Sequence, residues 1–97
     1  MVIRLEAEQG GVKKDYSIFF TQLPFEPEKA DFYIAIISYR SMDYEAQFSS
    51  KELPSLFEKI SEYFNTNSIT VTSILRPIFN QADVTDDLIN TLLTNKL

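Results

Sequence analysis

The side chains able to do acid–base or ligand chemistry in this sequence are chiefly carboxylates: fourteen Asp and Glu, with no His and no Cys. Their absence excludes thiolate zinc sites, disulfide staples, Ser-His and Cys-His nucleophiles and an imidazole proton shuttle. Two carboxylate arrangements merit testing against chemistry. Glu6 and Asp15 oppose each other across an expected hairpin, as an acid–base pair would. No apolar surroundings are evident in the sequence to raise either pKa, so the pair reads as part of a solvated sheet face. Asn80, Asp83, Asp86 and Asp87 could ligate a hard cation, but an EF-hand loop needs Gly at its sixth position and Glu at its twelfth. Thr85 and Thr91 stand there, so the cluster reads as helix capping and favourable charge at a helix start. Gly10-Gly11 lacks the glycine spacing and the Lys-Ser or Lys-Thr ending of a phosphate loop. Lys13 and Lys14 beside it read as charges that guard a strand edge. The expectation is a protein with no catalytic, cofactor or metal site, and not an enzyme.

What remains is recognition. Eight Phe and five Tyr in 97 residues supply apolar area, and the net charge is −5. That charge disfavours direct binding to a nucleic-acid backbone. The carboxylates fall in loose groups rather than runs, which argues against full mimicry of a phosphate backbone but suits a basic protein partner, nucleic-acid-binding proteins included. The residues expected to bind it are Tyr39, Asp43, Tyr44 and Glu45. The two tyrosines flank a turn, and Tyr supplies large contact area at little rotamer cost.

The elements that must position these residues follow from patterning. Gly10-Gly11 sits between two alternating runs and reads as a two-residue hairpin turn, since Gly accepts positive φ. Opposed residues then sum to 21, pairing Leu5 with Tyr16 and Ile3 with Ile18. The run from Leu23 to Glu28 holds two prolines and reads as a loop. Phe32 to Tyr39 is apolar on both alternation sets, as in an interior strand covered on both sides. With Arg40 to Asp43 as a turn, Ile37 opposes Ala46 and Ala35 opposes Phe48. Ala35, Ile37, Tyr39, Tyr44, Ala46 and Phe48 then share one face.

Ser49 with Glu52 reads as a capping box opening a helix over 49–65. Leu53, Leu56, Phe57, Ile60, Tyr63 and Phe64 recur at helical spacing. Residues 68–79 are ambiguous: Ile69 to Thr72 favour a short strand, whereas Ile74, Leu75, Ile78 and Phe79 have helical spacing broken by Pro77. Thr85 caps a last helix with Leu88, Ile89, Leu92 and Leu93 on one face and Lys96 at its end.

The expected fold is a single α+β domain over 1–97. An antiparallel sheet of four to five strands (ββββα, short β or turn, α) carries the 49–65 helix on one face. The other face must be covered by the C-terminal helix or by another chain. The layout suits small acidic inhibitors that occlude a basic partner, of the immunity-protein or phage anti-defence type. The alternative is a self-associating structural subunit, a homodimer, or a protein like a secretion chaperone. A spanning helix needs about 20 apolar residues, and the run Phe32–Ile37 falls far short. No membrane contact and a cytoplasmic location are expected.

Overall fold

The computed structural model describes residues 2–23, 32–40, 43–75 and 86–93. Five antiparallel strands form one sheet: β1 (Val2–Gln9), β2 (Val12–Leu23), β3 (Phe32–Tyr39), β4 (Asp43–Ser50) and β5 (Thr70–Leu75). Helix α1 (Leu53–Thr66) follows β4, and a short α2 (Asp86–Thr91) follows β5. The strand order is β4-β3-β2-β1-β5. The α+β class and the antiparallel sheet are therefore as the patterning predicts.

The hairpin takes the predicted register, with Val2 on Phe19, Leu5 on Tyr16 and Gln9 on Val12. Gly10 and Gly11 have φ of 59° and 80°, the pair of positive angles that a type I′ turn requires. Alternation then sends Ile3, Leu5, Ala7, Tyr16, Ile18 and Phe20 into the core. Helix α1 covers that face with Leu56, Phe57, Ile60 and Phe64, all fully buried. Phe57 stacks on Phe20, with ring centroids 5.2 Å apart.

Four expectations need correction. β2 continues through Leu23, which pairs with Phe32, so Leu23 belongs to the ladder rather than to a loop. The capping box does not form: Ser49 and Ser50 stay in β4, paired with Ile34 and Tyr33. Backbone pairing with β3 outcompetes the cap, and the helix starts after Glu52, which makes no side-chain cap. Residues 70–75 are strand, so Ile74 and Leu75 lie in β5 and not in a broken helix. Their backbone groups pair with Leu5 and Arg4 at the edge of the sheet.

The fourth correction concerns β4. Ile37 pairs with Ala46 as expected, but Ser38 then pairs with Tyr44 and Tyr39 with Asp43. The connection takes three residues instead of four, and the extra residue on β4, Glu45, becomes a bulge. Tyr44 therefore shares a face with Ser38, opposite to the core face it was expected to join. The expected loop at 24–28, the Thr85 cap, Lys96, and Asn80 and Asp83 lie outside the described residues.

The C-terminal helix does not cover the second face of the sheet with its apolar side chains. Leu92 is fully buried in the core beside α1, with Leu88 and Leu93 packed against the same cluster. Among the described residues, no helix is long and apolar enough to cross a membrane.

Candidate functional site

The end of the sheet near Arg40 gathers the side chains that the sequence singles out. Arg40 leaves β3 with a φ of 55°, a left-handed conformation that is uncommon outside glycine. Its N–H donates to the Asp15 carbonyl at 2.9 Å, which ties the turn to β2. The Arg40 guanidinium lies 5.1 Å from the centre of the Tyr39 ring, and the Lys14 ammonium lies 5.3 Å from it. Both distances suit cation–π attraction. Lys14 is itself steered by Gln9, whose Oε1 accepts from Nζ.

Tyr39 is half-buried on the core side and packs against Tyr16 at 5.7 Å between centroids. Tyr16 in turn meets Phe64 edge-on, and Tyr63 contacts Phe64 and Phe48. Such tilted and edge-on contacts match the quadrupoles of the rings. The Tyr63 hydroxyl donates to Glu45 Oε1 at 2.9 Å. The bulge thus turns Glu45 toward α1 and lets Tyr44 point the other way.

The electrostatics of this cluster follow from burial beside one carboxylate. The Tyr16 hydroxyl is buried and has no hydrogen-bond partner among the described residues. Burial, the Glu45 charge and Tyr39 push its pKa up to about 12. Tyr63 is also pushed up to about 12, by burial, by its hydrogen bond to Glu45, by the Glu45 charge and by Tyr16. Both rings are neutral at physiological pH and do not serve as ready bases.

The four residues expected to bind a partner are therefore divided. Asp43 and Tyr44 are exposed, and Tyr44 at 62% is the most exposed large hydrophobic residue described. Tyr39 is packed beneath two cations, and Glu45, though exposed, holds Tyr63. The sequence does not reveal Tyr63 as Glu45's partner, because a one-residue bulge decides where Glu45 points. In sequence Lys14 reads as an edge charge, yet its strand is interior and its ammonium sits on Tyr39. Among the described residues, no group of three or more Asp or Glu is placed to hold a metal ion. Glu6 and Asp15 do pair across the hairpin, at the small like-charge cost that opposed carboxylates carry. Both are exposed, and neither lies in apolar surroundings that would suit acid–base work.

Compared with known protein families, with curated proteins and with solved structures, the chain matches none.

Proposed function

We propose that this chain is a non-enzymatic protein-binding module that occludes a basic partner protein, in the manner of an immunity protein or an anti-defence inhibitor. The contact surface is the free edge of β4, with Tyr44 as the anchor and Asp43 as the steering charge. The observation that carries this reading is Tyr44 itself. It is 62% exposed on an edge strand, with a carboxylate on either side in the chain, and a bulge aims it off the core. Bulges near functional surfaces commonly re-aim one side chain in this way. A Tyr at an interface supplies rigid apolar area and a hydroxyl.

Tyr39 and Glu45 support the edge from behind. The two cations over Tyr39 fix the turn, and the Tyr63 hydroxyl fixes the bulge. Preorganisation of this kind reduces the ordering cost on binding. The overall charge of −5 adds long-range attraction to a basic surface.

Affinity capture from the source cell, followed by mass spectrometry, tests the proposal. A protein held by the parent chain should be lost with Tyr44→Ala, by roughly 30-fold in affinity if Tyr44 is a hot spot. Equal capture by parent and Tyr44→Ala overturns the edge assignment.

A further inference from the structure

Four of the five exposed large hydrophobic residues described, Phe19, Phe32, Tyr44 and Leu75, lie on the second face of the sheet. β3 and β4 turn only uncharged side chains to that face. They are Phe32, Ile34, Ile36 and Ser38 from β3, with Tyr44, Gln47 and Ser49 opposite the last three on β4. Phe19 of β2 pairs with Ile36 and also with Val2 of β1, which completes one patch. The charged residues of this face, Arg4, Glu6, Glu8, Lys13 and Asp15, all lie on β1 and the hairpin half of β2. Leu75 stands beside Arg4 on the far edge, apart from the patch. Val2, Ile34 and Ile36 are half-buried, and the apolar side chains of both described helices pack into the core on the opposite side. A contiguous exposed apolar patch of this kind marks an interaction site.

We propose that the partner anchored by Tyr44 lays an amphipathic helix along β3 on this patch. The helix depends on the reading of Tyr44 as an anchor. The Tyr44 ring is 62% exposed at the β4 border of the patch, opposite Ser38 and one row from Ile36. A body that covers this ring therefore overhangs Ile36 and Phe19. The β4 edge and the patch are then one continuous contact with one partner.

The dimensions select the occupant. From Phe32 to Ser38 the patch runs about 20 Å along β3, and from β1 to β4 it is about 14 Å wide. A helix is about 10–12 Å across and spans 20 Å in about 13 residues. One such helix fills the patch, with apolar residues at helical spacing against the sheet. Two copies of this chain laid patch to patch would bury only roughly 600 Å², about half of what a stable specific pair needs. A partner's helix has no such requirement, because it adds to contact made at the β4 edge. The patch carries no charge, so the basic groups of the partner belong at the flanks of the helix, with Asp43 next to Tyr44.

The test titrates the isotope-labelled full chain with a Leu/Lys amphipathic peptide of about 14 residues, read by the amide resonances. Salt of about 0.15 M screens attraction between distant surface charges. Amides of Phe19, Ile34, Ile36 and Tyr44 should shift, and Ile60 in α1 should not. Phe19→Thr and Ile36→Thr keep strand-compatible side chains, and each should raise the dissociation constant about tenfold with an unchanged circular dichroism spectrum. Tyr44→Ala should weaken the peptide similarly. Val12→Thr, at an exposed apolar residue beside the hairpin turn and outside the patch, should leave it unchanged. Shifts confined to residues 43–46 overturn the helix and leave the β4 edge standing. Shifts across Phe19 and Ile36 that Tyr44→Ala does not weaken overturn both. No shifts at all overturn the helix, and the edge keeps its separate test by capture. A parent at twice the single-chain mass of 11.2 kDa in light scattering, returned to the single mass by Phe19→Thr, gives the face to a second copy and also overturns the proposal.

Discussion

Ser68 leaves helix α1 with a φ of 57°. Its N–H donates to the Asn65 carbonyl at 3.1 Å, and the Ile69 N–H donates to the Phe64 carbonyl at 2.8 Å. That is a Schellman ending with serine where glycine is usual. A left-handed residue with a Cβ costs about 1–2 kcal/mol, and glycine gives part of that back in unfolded-state entropy. Ser68→Gly should therefore raise stability by about 0.5–1 kcal/mol, read from urea or thermal unfolding. The opposite change belongs at Gly11, where a β-branched side chain resists the φ of 80°. Gly11→Val should cost about 1 kcal/mol or more, and an unchanged melting temperature would remove the turn from the account. Tyr16 and Tyr63 give the fold an alkaline pH dependence. Both are pushed up to about 12 from 10 in the fold. The folded chain thus holds these protons more tightly, so the stability they supply is complete below pH 10 and fades as pH rises toward 12. Tyr63→Phe removes one such group and should flatten the alkaline loss in a pH series of unfolding curves. Gly10 and Gly11 were legible because the turn demands their conformation. Ser68 and Arg40 were not, since nothing in a serine or an arginine announces positive φ.

At the scale of elements, the core helix is the least replaceable part. Phe57 is fully buried and stacks on Phe20 of β2, joining helix to sheet. Phe57→Ala should cost roughly 3–5 kcal/mol, through lost burial and the cavity left behind. A domain of this size has little stability in reserve. Loss of a cooperative unfolding transition, or of soluble protein, is the expected outcome. The hairpin and the apolar face of α1 could be read in advance because two independent signals agree in each: turn chemistry with alternation, and helical spacing with a solvated opposite face. The start of α1 could not, because Ser49 and Ser50 suit a cap as well as a strand and only β3 decides between them. The β4 bulge has the same character. A one-residue shift between Ile37 and Ser38 moves Tyr44 to the other face, and no residue type marks it. The candidate site was therefore legible as a stretch of chain, but its division into contact and support was not.

At the scale of the whole molecule, α1 and α2 both pack into one core, which leaves two unlike surfaces elsewhere on the sheet. One is the second face of the sheet, where Phe19 and Tyr44 are exposed, and the other is the β4 edge that carries Asp43. The excess of carboxylates over cations makes the chain an electrostatic target for basic surfaces, and such attraction acts mainly on the rate of encounter. Asp43 is exposed and holds no described hydrogen bond through its side chain, so it can be reversed with little cost to the fold. Association kinetics between the captured partner and the parent or Asp43→Lys chain, measured across ionic strength, are the most direct test of the central claim. The account predicts a slower on-rate for Asp43→Lys at low salt and a shallower dependence on salt, with the off-rate less affected. Identical on-rates for the two chains at every ionic strength would contradict it.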